Sequence, residues 1–284
     1  MHTSDATAWR VLRSAPSRIV IALLWLFGIV IAASRVPIAN PVLKAIFVAA
    51  LVVAGYALYV RALEWRPLVE FSFPPAAKEL AQGLAIGTVL FTVTIAVIWA
   101  CGDYTVTAVR SPTSLIAPLG MALVSAVPEE ILFRGVVFRI AEERLGSVWA
   151  LILSSLLFGA VHLSNPHATI VSAVAIALEA GLLLGAAYMS TRRLWLPIGM
   201  HAAWNFTQAG VFGVAVSGQT INGLLVSRLS GPDWLSGGEF GAEASLPAVI
   251  VCLVAACVLY RRASARQLVQ PNARWVRKQP HPTS

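Results

Sequence analysis

Four groups of polar residues interrupt the long apolar runs of this 284-residue sequence. Each is a candidate for chemistry, because an ionisable side chain at bilayer depth costs roughly 2.5–3.5 kcal/mol even on the lenient insertion scale. The first group is Pro128-Glu129-Glu130-Ile131-Leu132-Phe133-Arg134. On a helix, Glu130 and Arg134 share a face at four-residue spacing and can pair, whereas Glu129 points about 100° away and has no local counter-ion. A desolvated carboxylate without a partner suits general-base work, and Glu130 with Arg134 reads as an orienting ion pair. Pro128 leaves the carbonyl one turn back without its donor, which opens the backbone beside the acids. The structural alternative is that both acids only bond one helix to another.

The second group is Phe158-Gly159-Ala160-Val161-His162, and the third is His201-Ala202-Ala203-Trp204-Asn205, whose imidazole and carboxamide fall on one helix face. Taken alone, a histidine in a span more often bonds helices together than binds a ligand. The fourth is Glu179, followed by Gly181 and Gly185 at a spacing that lets helices pack closely. Glu179 either lines the same chamber as the others or pairs with Arg192 or Arg193. A base, a group that positions water and donors aimed at a developing charge are what hydrolysis needs.

The elements that must hold these residues follow from composition. The chain is 58% apolar and 12% charged, about half the charge a soluble domain carries. That excludes an ordinary soluble enzyme and a disordered chain. Cys101, Cys252 and Cys257 are too few and too scattered for a disulfide scaffold, and packing is the role expected of them. The class is all-α, a polytopic transmembrane helical bundle. Spans are predicted near 17–36, 41–62, 81–101, 113–140, 147–165, 168–190, 194–217 and 245–260. They divide the chain into N-terminal helices (1–112), a four-helix core (113–217), an external loop (218–244), and a last helix with a basic tail (245–284). The first apolar run lacks a small-residue cleavage site and reads as a retained helix.

Lys and Arg fall 16 to 4 on alternate sides of these spans, which places both termini in the cytoplasm of a multi-pass cell-membrane protein. The net charge of +8 follows from that bias and from attraction to anionic lipid, with no pattern that points to nucleic acid. The tail 261–284 reads as a flexible basic strand on the membrane surface. Asn165 and His167 fall in a short external turn and need no function.

Depth brings the polar groups together. The fourth and fifth spans form a hairpin turning near 145 and 146, and Glu129 and His162 each lie 16 residues from that turn, roughly 24 Å at helical rise. Asn205 lies 11 residues beyond Leu194, about 17 Å in. With the hairpin tip projecting about one turn, all three are level. One polar chamber in mid-membrane accounts for them.

In this order and spacing, EExxxR (Glu129, Glu130, Arg134), FxxxH (Phe158, His162) and HxxxN (His201, Asn205) resemble the CAAX protease and bacteriocin-processing family of intramembrane proteases, also called the Abi family. The resemblance covers about 113–217 and includes the type II CAAX prenyl endopeptidases. It implies hydrolysis of a peptide bond in a membrane-associated substrate. Glu129 would activate water, His162 would help hold it, His201 and Asn205 would stabilise the oxyanion, and Glu130 with Arg134 would support the site. Glu129, His162 and His201 could instead supply three ligands to a divalent metal such as zinc, although there is no HExxH and a ligated Glu129 would not be a free base. A non-proteolytic immunity-like membrane protein or a transporter is the alternative.

Overall fold

Helix starts are fixed by side chains that cap them. Ser14 accepts from the Ser17 amide with Pro16 in the first turn, Asn40 accepts from Val42 and Leu43 with Pro41 behind it, Thr169 and Ser172 cap one another reciprocally, and Ser245 accepts from Ala248. These residues satisfy amide donors that the first helical turn leaves orphaned. The structure, a computed structural model, describes residues 14–272. Its main helices are α1 (Ala15–Ser34), α2 (Pro41–Glu64), α3 (Ala76–Ala100), α4 (Pro112–Leu145), α5 (Ser147–Ser164), α6 (Ile170–Thr191), α7 (195–211) and α8 (Leu246–Ala265). Among the described residues, all but α7 are long and apolar enough to cross a membrane. The protein is a polytopic helical membrane protein.

The seventh span, expected over 194–217, is shorter. It runs as α-helix from Trp195 to Asn205, continues in wider π turns from Phe206 to Val211, and ends before Gly213 at φ +65°. Every residue from Leu196 to Asn205 is buried, so α7 is enclosed by other helices and needs no lipid-facing surface of its own. Glycines make that enclosure tight. A Cβ at Gly83 on α3 would lie 2.4 Å from the Leu196 carbonyl oxygen, and one at Gly87 would lie 2.2 Å from that of Met200.

The segment 218–244, read as a plain loop, is folded. Strand β1 (Tyr104–Val109) pairs antiparallel with β2 (Leu225–Leu229), Tyr104 opposite Leu229, with an irregularity between Val106 and Ala108. The short helical turns Asp233–Ser236, Gly238–Phe240 and Ala242–Ala244 then lead into α8. No long apolar run announces so small a sheet, and β1 lies where the sequence reading had only a connection.

At the opposite end the described chain begins and finishes beside the α4–α5 turn. Gly146 makes that turn at φ +76°. Arg18 pairs with Glu143, and the Gln270 amide donates to Ser147 Oγ. The basic tail is therefore not a strand from 261: α8 continues through Arg261 and Arg262 to Ala265, and 268–270 dock on the bundle through Arg192 and Ser147. Arg274, Arg277 and Lys278, and Arg10 and Arg13 at the other terminus, lie outside the described residues.

This end also carries a belt of ion pairs. Glu64, almost fully buried, accepts from Arg18, Arg66 and Arg139. Glu70 pairs with Arg66, Glu142 with Arg192, and Glu79 with Arg193. Arg18, Arg66, Arg139, Arg192 and Arg193 of the positive bias are thus neutralised within the fold.

Candidate active site

The acid pair is set on α4 where the helix changes pitch. Pro128 sits inside the α-helical stretch, and from Ile131 to Phe138 the backbone adopts π turns. The same widening occurs at Ala177–Gly181 on α6, around Glu179, and at Phe206–Val211 on α7, directly after Asn205. Wide turns of this kind are frequent at functional sites. They follow from no residue spacing that was used to place the helices.

Arg134 is completely buried and ties three helices together. Its Nη1 donates to Glu130 Oε1 at 2.8 Å, its Nη2 donates to the Ala180 and Gly181 carbonyls at 2.9 and 3.1 Å, and its guanidinium lies 4.7 Å from the centre of the Phe158 ring. The expected Glu130–Arg134 pair is present. Glu130 does more than pair, because the same Oε1 lies 2.9 Å from His201 Nδ1. An oxygen that accepts from Arg134 accepts here too, so Nδ1–H of His201 donates to it and the ring is held with Nε2 turned to the site. Nε2 then stands 3.9 Å from Glu129 Oε2, too far for a hydrogen bond. That Glu129 oxygen has no hydrogen-bond partner.

His162 lies at the end of α5, where the α-helix gives way to a 3-10 turn. Its Nδ1 is 2.7 Å from the Phe158 carbonyl oxygen. A carbonyl only accepts, so Nδ1 carries the hydrogen and Nε2 is left as a lone pair. Phe158 lies tilted against the His162 ring and stands edge-on to His201, at 4.7 and 6.2 Å between centroids. Asn205 is anchored by its amide, Nδ2 donating to Ser125 Oγ at 3.0 Å, and Ser125 donates to the Ala122 carbonyl at 3.3 Å.

Glu129, His162, His201 and Asn205 all line one cavity of about 370 Å³ inside the bundle. Ser125 lines it as well; it stands four residues before Glu129, so i,i+4 spacing on α4 carried the signal that would have found it. Asn165, set aside as a turn residue, also reaches the wall. His167 does not line it and pairs with Glu239 at the surface. Glu179 also faces the cavity and is not paired with Arg192 or Arg193, whose partners are Glu142 and Glu79. Its helix approaches α5 as the glycine spacing implied: a Cβ at Gly181 would lie 2.8 Å from that of Ser155, and one at Gly185 2.3 Å from Leu151 Cδ1. Ser217 and Glu243, from the segment around the small sheet, complete that side. Burial pushes the Glu243 carboxyl up to about 7, against the pull of the Ser217 amide and hydroxyl, both of which donate to it.

The donors match a metal site in part. Each imidazole gives its Nδ1–H to an oxygen and keeps Nε2 for the site, the usual second contact of a ligating histidine. The set does not close, however: among the described residues no three His, Cys, Asp or Glu side chains are grouped so as to hold a metal ion. Glu129, His162 and His201 line the cavity without forming a ligand cluster.

Fold and site together define a polytopic membrane protein with a carboxylate, two imidazoles and a carboxamide facing one chamber between its helices. Residues 111–207 match the family model described as type II CAAX prenyl endopeptidase Rce1-like. The matched stretch contains all three motifs and is the part of the chain for which the family resemblance is shown. A Bacillus subtilis (strain 168) protein described as "Putative membrane peptidase YdiL" is 31% identical over 84 residues, 30% of this chain and 32% of that protein. The chain thus aligns with about a third of the length of that curated relative.

Proposed function

We propose that the protein is an intramembrane endopeptidase that hydrolyses a peptide bond of a membrane-associated protein or peptide, with prenylated CAAX-type chains the first substrates to test. One observation carries this reading: Glu129, His162, His201 and Asn205 line a single cavity inside the helix bundle. Glu129 Oε2, which has no hydrogen-bond partner, takes a proton from a water whose other hydrogen is accepted by His162 Nε2. The hydroxide adds to the scissile carbonyl. Asn205, its carboxamide fixed by Ser125, and His201 supply donors to the oxyanion that results. Because Nδ1–H of His201 is committed to Glu130, Nε2 donates only when the ring is doubly protonated. Collapse of the tetrahedral adduct breaks the C–N bond as Glu129 returns its proton to the leaving amine.

Glu130 and Arg134 position His201 and touch no reacting atom. No step is routed through a metal, since the ligand set does not close. The charge bias of the sequence supports a cell-membrane location with both termini in the cytoplasm. The test is cleavage of a membrane-tethered reporter by purified protein in lipid nanodiscs, with Glu129→Gln and His201→Ala as separate variants. Loss in both is expected; cleavage that survives both changes overturns the reading.

A further inference from the structure

The cavity holds a second pair of acids that the proposed hydrolysis does not use. Glu179, on the π turns of α6, is 2% exposed, and among the described residues its hydrogen-bond partner is the Cys252 thiol of α8, at 3.8 Å from Oε2. Glu243, equally buried, accepts from the Ser217 amide and hydroxyl at Oε1 and has the Gln208 side chain beside it. Both side chains line the same cavity as Glu129, and among the described residues no Lys or Arg side chain lines it.

The belt at the other end shows how this fold treats an acid that serves structure alone. Glu64, Glu70, Glu79 and Glu142 each meet at least one arginine. Glu179 and Glu243 are as deeply buried and have none. Desolvating a carboxylate without an opposite charge is unfavourable; a bound proton relieves that cost, and so does a cation that enters the cavity. Much of the rest of the lining is apolar, from Leu90, Met121, Leu183, Leu184 and Trp204. A cation on a small hydrophobic segment matches it.

From this we infer that Glu179 and Glu243 form a subsite for one basic group of the substrate, a lysine or arginine side chain within an otherwise apolar stretch. The inference rests on the endopeptidase reading for calling that ligand a substrate. Cys252 takes no part beyond donating to Glu179.

Binding tests this separately from cleavage. Two fluorescent apolar peptides, identical except for arginine against its neutral isostere citrulline at one position, are titrated into the full chain in nanodiscs of zwitterionic lipid. The arginine is moved along the peptide to find its register. The expected result is at least one register in which arginine binds about tenfold tighter, with that preference lost in Glu179→Gln/Glu243→Gln. Equal binding of the two peptides in every register by the unmodified protein overturns the inference, and so does a preference that the double variant keeps. Should the double variant fail to fold, competition decides: arginine amide is expected to displace the arginine peptide and leave the citrulline peptide bound, and equal displacement of both overturns the inference. Cleavage read in parallel fails independently: no turnover of any peptide, with the arginine preference intact, removes the protease reading and leaves the cation site standing.

Discussion

The two acidic regions of this protein follow opposite rules. At the end where the described chain begins and finishes, buried glutamates sit among arginines, Glu64 serving three of them at once. In the cavity, Glu129 reaches only a histidine at 3.9 Å, and Glu179 only a thiol. Acids of the first kind stabilise the bundle through satisfied charge. Those of the second kind lack a partner that a substrate, a water or a proton can supply. Glu130 marks the border, being completely buried, paired with Arg134 and yet in contact with His201.

The contrast can be broken by moving one acid from each side. Replacing Glu129 with Gln should lower reporter cleavage by about a thousandfold, as loss of a general base does, with an unchanged melting temperature. Glu64→Gln should do the reverse, lowering the melting temperature in detergent through the loss of charge-assisted hydrogen bonds, about 2 kcal/mol in all, while turnover per folded molecule stays level. A fall in turnover with Glu64→Gln, or in stability alone with Glu129→Gln, would erase the distinction. The border residue should show both effects. Arg134→Met leaves Glu130 as an unpaired buried charge and should destabilise the protein by about 3–5 kcal/mol, measured by denaturant titration, and disorient His201.

Smaller effects sharpen the picture. Glu243 is raised to about 7 by burial from an ordinary value of 4.5, so the folded state holds its proton more tightly than the unfolded chain. Its contribution to stability is then complete below about 4.5 and is lost as pH rises through 7. Melting temperature should fall between pH 5 and 8, and Glu243→Gln should flatten that slope; an identical slope in both proteins would contradict the burial described. The smallest effect belongs to His167 and Glu239, both largely exposed. Replacing either by Ala should shift stability by under about 1 kcal/mol.

Much of this was legible in the sequence because membrane burial makes polar residues conspicuous. The apolar runs gave the helix ends to within six residues, and Glu129 and His162, expected at one depth by counting back from the α4–α5 turn, both line the cavity. What was illegible had no period to read. β1 and β2 are 6 and 5 residues long and pair across more than a hundred residues. Ser217 and Glu243 reach the cavity from that irregular segment, so neither spacing nor hydropathy points to them. The end of α7 at Val211 is set by its enclosure and by Gly213, not by an apolar run that simply stops.

The wide turns of α4 have a consequence for how this chain tolerates change in length. A π turn accommodates one residue more than an α turn, and each residue on a helix advances the face by about 100°. The stretch Ile131–Phe138 lies between the acids Glu129 and Glu130 and the charged end at Arg139, Glu142 and Glu143. Deleting one residue there closes the stretch toward regular α turns and keeps both sets of side chains on their present faces, whereas the same deletion in a regular α-helix would turn one set away by about 100°. Chain length can therefore vary at this stretch while Glu129, Glu130 and the arginine belt all keep facing their neighbours.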